Sequence, residues 1–217
     1  MMSNKPVFSS NPDIYKTAYL NWRMSEHETP EKLYQMGQAF GKGAMALLDV
    51  CLEDNSSHRA DALIFPILYS VDQCIEVSIK GILYNLDVLD KCAPSNYVTH
   101  DISQLLSLMK ARIKKHDGTT KGLEKHLESI QSYVDELFQY IGQAPGKPQM
   151  DFARYPIDSD GNSFFYVVSR GNITVDLVQL KDELQEIMSS LDALHIKYSV
   201  ERDVMNDYMA MMASAEE

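Results

Sequence analysis

Between Arg59 and Leu86 the chain carries Leu63, Ile64, Ile67, Leu68, Val71, Cys74, Ile75, Ile79, Ile82 and Leu83, which together cover most of the circumference of a helix. A helix that is apolar almost all round is stable only when other elements surround it. This segment therefore belongs at the centre of a helical bundle. Pro66 lies inside it and lacks the N–H that a helix interior needs, so a kink or a fresh start is expected there. One polar strip survives on the segment, formed by Asp72, Gln73, Glu76 and Lys80. Glutamate four residues before lysine is the spacing of an intrahelical ion pair. On so apolar a helix the pair would be partly buried, serving either to hold a neighbouring loop or to line a ligand pocket.

The rest of the chain repeats the helical period. Thr29-Pro30-Glu31 combines a capping residue, a proline suited to the first turn and an acid at the positive end of the dipole, which predicts a helix from about Pro30. Leu33, Met36, Phe40, Ala44, Leu47, Leu48 and Cys51 form its apolar stripe, and Asp54-Asn55-Ser56-Ser57 ends it. Thr99 is placed to cap a helix bearing Ile102, Leu105, Leu106, Met109 and Ile113. After the turn His116-Asp117-Gly118-Thr119-Thr120, Leu123, Leu127, Ile130, Val134, Leu137, Phe138 and Ile141 define another. A loop is expected over 142–163. The runs Phe164–Val168 and Ile173–Val175, joined by Ser169-Arg170-Gly171-Asn172, predict a β-hairpin at about 164–175. A long last helix follows from about Leu177. Residues 1–28 read as an N-terminal extension, with a short helix over Tyr15 to Trp22; 29–200 as one helical domain; and 201–217 as a Met-rich tail able to dock a partner.

Composition narrows the function. A length of 217 residues with 45% hydrophobic content suits one domain with one core. No run of about 18 uncharged apolar residues and no secretory h-region is seen, so a cytoplasmic protein that does not span a membrane is expected. Cys51, Cys74 and Cys92 are widely spaced and predict buried, reduced thiols; no metal and no cofactor is expected. A net charge of −11 repels phosphate on average, so any nucleic-acid contact needs a local basic patch. Lys110, Arg112, Lys114, Lys115, Lys121 and Lys125 supply one, against only Asp117 and Glu124 in the same stretch. A solvated helix end is the plainer account of that patch. No phosphate loop, nucleophile elbow or HExxH helix occurs.

Three segments resemble a known family. Ala62–Leu83 carries Glu76 and Lys80 among aliphatics; Thr99-His100-Asp101-Ile102 with Leu105-Leu106 follows; and Arg154-Tyr155-Pro156 comes later. In this order they resemble the signatures of the HEPN superfamily. The resemblance covers roughly residues 30–198. It implies an all-α bundle of four or five helices, here with a small hairpin insertion, commonly paired as a homodimer. Many members cut RNA without metal in toxin–antitoxin, antiviral or stress systems. The family's ribonuclease motif, arginine followed after four to six residues by histidine, is missing: Arg23–His27 and Arg112–His116 each fall one residue short, and after Arg154 the matching positions are Ser159, Asp160 and Gly161.

Metal-free RNA cleavage needs a base, an acid and a cation for the developing charge. His100, at the opening of a helix, and Arg154, in a proline-marked loop, are the candidate catalytic residues. Glu76, Lys80, Asp101 and Tyr155 are candidate ligand-binding residues, with Asp101 equally a dipole partner at a helix start. The expected partners are a second copy of the chain, RNA, and a protein effector or antitoxin. The competing expectation is a non-catalytic homodimeric scaffold or regulatory module.

Overall fold

The computed structural model describes residues 6–20, 28–93, 97–141 and 150–215. The chain is mainly helical. Its helices are α1 (Thr29–Glu53), α2 (Arg59–Leu89), α3 (Ile102–Asp117), α4 (Glu124–Ile141), the single turn α5 (Phe165–Val168) and α6 (Leu177–Ala215). Short 3-10 turns occupy Ile14–Lys16 and Met150–Ala153. The expected helix from Tyr15 is thus only a 3-10 turn, and Trp22 lies outside the described residues.

α2 sits at the centre, against α1, α3 and α6, while α4 closes the bundle on α3 and α6. Ile67, Val71, Cys74, Ile75, Ile79, Ile82, Leu83 and Leu86 are all without solvent contact, as the all-round apolar pattern requires. α2 is long and apolar enough to cross a membrane by composition alone, a property it shares with many core helices. It runs through Pro66 as one helix, so no fresh start occurs there. Cys51 and Cys74 are buried and Cys92 half-buried, all as free thiols; burial pushes the Cys74 thiol up to about 12.

The caps follow local chemistry. α1 begins at Thr29 with Glu28 in the cap position and Pro30 in the first turn, one residue earlier than expected. Asp101, not Thr99, caps α3: its Oδ1 accepts from Gln104 N at 3.0 Å, and Thr99 Oγ1 accepts from Asp101 N at 3.2 Å. Gly118 ends α3 at φ 73°, a left-handed position that glycine adopts without penalty. Asp176 caps α6 by accepting from Val178 N and Gln179 N at 2.9 and 3.1 Å.

The hairpin expected at 164–175 is not there. Phe165–Val168 forms a helical turn, Ile173–Val175 is irregular, and the β feature among the described residues is an isolated bridge between Ile157 and Ser163. Two successive rings, Phe164 and Phe165, are both buried, which defeats the alternation that a one-sided strand needs. The Tyr166 hydroxyl fixes the turn by donating to Phe152 O and Tyr155 O, each 2.9 Å away. From there residues 169–176 cross to the start of α6.

α6 is one uninterrupted helix to Ala215, so no break separates a tail at 201. Its buried residues nevertheless end at Arg202. Beyond that point Val204, Tyr208, Met209, Met211 and Met212 are exposed.

α1 and α2 meet through glycine. A Cβ on Gly37 would press on Ser78 Oγ and lie 3.1 Å from both Cys74 O and Ser78 N, whereas Gly43 on the same helix faces open space. Replacing a helical glycine by alanine normally gains about 1 kcal/mol. Gly43→Ala is therefore expected to raise Tm, while Gly37→Ala loses about 1–3 kcal/mol to overpacking. Thermal unfolding of the two variants side by side checks this; equal gains would mean that the seam is loose.

Candidate functional site

The polar strip of α2 organises the site. At 100° per residue Tyr69, Gln73, Glu76 and Lys80 fall within about 60° of one another on one face, with Asp72 beside them. Glu76 is 5% exposed and gathers three donors. Lys80 Nζ lies 2.8 Å and His100 Nδ1 2.9 Å from its Oε1, while Gln73 Nε2 donates to Oε2 at 3.3 Å. Asp101 caps the helix that starts just after His100, which holds the Thr99–Asp101 segment against α2. Glu76, Lys80 and His100 are thus brought together, and Asp101 is next to them in sequence but engaged with Gln104.

The pairing fixes the histidine. A carboxylate bonded to an ammonium is an acceptor, so His100 donates to it through Nδ1, and in the neutral ring Nε2 is the nitrogen that carries the lone pair. His100 is 76% exposed, which places Nε2 in reach of solvent or a ligand. A ring oriented by a carboxylate and open at its other nitrogen is suited to proton transfer.

Arg154 occupies the other end of the same face. Its guanidinium lies 5.7 Å from the centroid of the Tyr69 ring and 5.1 Å from that of Tyr155. Asp151 Oδ1 accepts from it at 2.9 Å and the Tyr155 hydroxyl at 3.3 Å, and the latter bond leads the causes that raise its pKa. Tyr69 and Glu76 are seven residues apart, about 10 Å of helical rise. Arg154 and His100 therefore stand along one side of α2 without touching. Tyr69 was not singled out from the sequence, although the spacing of seven from Glu76 was the available signal.

Behind Glu76 is a group that sequence reasoning placed in the strip but not in the site. Asp72 is 3% exposed, its Oδ1 accepts from the Tyr133 hydroxyl at 3.4 Å, and its Oδ2 is buried without a partner. Burial pushes its carboxyl well above the usual carboxylate range; the Tyr133 bond opposes the rise and the Glu76 charge one turn away adds to it.

The basic tip is largely engaged. Arg112 pairs with Asp87 at 2.9 Å and lies 3.7 Å from Asp90; Lys115 pairs with Asp90 at 2.8 Å, Lys125 with Glu186 at 3.6 Å, and Lys110 donates to Gln131 at 2.6 Å. Lys114 and Lys121 are exposed and join no ion pair among the described residues. These acids come from α2, its C-terminal turn and α6, which the local sequence of the tip could not reveal.

Two further polar groups were missed. His195 is buried between α1 and α6, its Nε2 3.0 Å from Glu31, its ring stacked 3.9 Å from Tyr34, and its Nδ1 without a partner. Burial lowers its pKa despite Glu31, and the Tyr34 hydroxyl bonds Asp192. His116, Asp117 and Glu201 also converge within 4.8 Å, but Lys197 Nζ is 3.2 Å from Asp117 and 2.6 Å from Glu201 and supplies the cation there.

Two expected outcomes follow from this geometry. Glu76→Ala strands Lys80, which is 12% exposed, and is expected to cost about 3 kcal/mol in denaturant unfolding, whereas His100→Ala stays within about 1 kcal/mol. If the two costs are alike, Glu76 does not anchor the cluster. For Asp72 the sign is set by its raised pKa: the folded chain keeps the proton to higher pH than the unfolded chain, so stability falls as pH rises above the usual carboxylate value. Asp72→Asn removes that loss, and its Tm relative to wild type should improve from about pH 4 to pH 7. A constant difference would show that Asp72 titrates as an ordinary carboxylate.

No protein-family model, curated protein or solved structure matches this chain.

Proposed function

We propose that the chain is a HEPN-like module of a bacterial or phage-related defence, toxin–antitoxin or stress system, cytoplasmic and two-fold paired, which engages RNA or a nucleotide on the polar face of α2. The observation that carries this reading is the Glu76–Lys80–His100 cluster: a buried carboxylate orients an exposed imidazole, with an ammonium beside it. Arg154, on the same side of α2, adds a guanidinium able to meet a phosphate in two bonds once it leaves Asp151. Cleavage of RNA here would use His100 as the proton-transfer group and Arg154 or Lys80 as the cation. It would not use the family's arginine–histidine motif, which the sequence lacks.

The second reading is a non-catalytic homodimeric scaffold or regulator. It draws support from the engagement of the basic tip by Asp87, Asp90 and Glu186, and from the exposed apolar residues along the end of α6.

A cleavage and binding assay with purified protein and a mixed-sequence RNA separates the two. The first reading expects His100→Ala and Arg154→Ala each to abolish cleavage or weaken binding while Tm is retained. It also expects binding to lose salt dependence by about one charge unit for each cation removed from Lys114, Lys115 and Lys121 that met a phosphate. Activity that survives both single substitutions removes the site assignment. No RNA or nucleotide binding by the intact chain, together with a stable dimer in light scattering, gives the scaffold reading.

A further inference from the structure

Where residues 173–176 cross between α4 and the start of α6, they roof a half-enclosed pocket of about 300 Å³. One face of α4 supplies Tyr133, Glu136, Leu137 and Tyr140, at the spacing of three and four that puts residues on one side of a helix. The opposite wall is Leu180 and Glu183 of α6, and the floor is aromatic. Phe152 and Phe165 lie 5.7 Å apart between ring centroids, and Tyr140 and Phe165 lie 6.0 Å apart. None of these residues belongs to the Glu76–His100 cluster.

The charged residues that line this pocket are, among the described residues, of one sign. Glu136 of α4 and Glu183 of α6 line it from facing helices, and among the described residues neither joins an ion pair. On the same helices, Lys181 pairs with Asp49 and Lys125 with Glu186. Burial raises the pKa of Glu183, with Glu186 and Glu136 adding to the rise, as expected for carboxylates of like charge near one another. The third carboxylate at the rim, Asp176, is already used in capping α6.

An apolar aromatic cavity with two carboxylates at its edge that join no ion pair among the described residues calls for a particular ligand. A hydrated metal ion would meet mostly rings and aliphatic side chains where it needs oxygen donors. An anion would be repelled. An ammonium carried on a small apolar body satisfies both halves of the site: the charge lies between the carboxylates and against the π-faces, and the body fills the floor. The volume limits the body to about one ring or a short aliphatic chain. We infer that this pocket is a binding site for a small organic ammonium, with Glu136 and Glu183 as its counter-charges and Tyr140, Phe152 and Phe165 as its apolar walls.

Calorimetric titration of the full chain with 2-phenylethylamine and with 2-phenylethanol tests the inference, because the two probes share a body and differ in charge. The amine is expected to bind about tenfold more tightly than the alcohol, with the NMR signals of Tyr140 and Phe165 shifting. Glu136→Gln with Glu183→Gln keeps shape and removes charge, and should reduce the amine to the affinity of the alcohol. Tyr140→Leu, at a position 38% exposed, should weaken both probes without unfolding the chain. Equal binding of the two probes by the wild type, amine binding that persists in the double variant, or no saturable binding of the amine at millimolar concentration would each overturn the assignment.

Discussion

The close approach of α1 to α2 is the constraint on which the remaining architecture rests. Gly37 and Gly41 face Cys74 and Ser78, and Gly81 lies against the backbone of Pro30 and Tyr34. With no Cβ at these crossing points, the two helices come within reach of each other's main chain between Pro30 and Gly37 of α1. The all-round apolar α2 is thereby covered on one side by α1, and its remaining flanks are left for α3 and α6. Met188 of α6 settles over Gly41, which ties the third helix of this layer to the same seam.

Once α2 is enclosed, its polar strip becomes an electrostatic problem that neighbouring elements must solve. Glu76 cannot remain buried without compensation, and Lys80 one turn away supplies the charge while Gln73 and His100 supply further donors. Asp72 has no such cation among the described residues, and burial raises its pKa instead. The two carboxyls, four residues apart on one helix, thus have different partners, and the difference arises from what surrounds each. That contrast gives the α2 face its chemical character: a buried carboxyl without a cation inside, an ion pair beside it, and an oriented imidazole at the surface.

The end of α6 shows the opposite condition. Among the described residues nothing covers Val204, Tyr208 or Met212, although the helix continues through them. An isolated helical segment of this length is marginal in water, so its order depends on continuation from the packed part of α6. The polar groups on the packed part, Lys197, Arg202 and Glu201, join it to Asp117, Asn85 and His116.

The bundle and the centrality of α2 were legible in the sequence because apolar periodicity directly reports which faces need covering. The Glu76–Lys80 pair was equally legible, since its geometry is set within one helix by the spacing of four. The short turn at Phe165–Val168 was not, because β-favouring composition loses to tertiary burial of adjacent rings. Nor was the state of the basic tip: the local sequence shows its cations, but the neutralising Asp87, Asp90 and Glu186 arrive from α2, the turn after it and α6. By itself the sequence determined which long segments are helical, which of them is central, and which charges share its face. Only the tertiary structure decided that burial raises the pKa of Asp72, that His100 is held by Glu76, and that Arg154 rests on Tyr69. Those outcomes depend on distances between segments far apart in the chain, and charge and burial act through distance, not through order along the sequence.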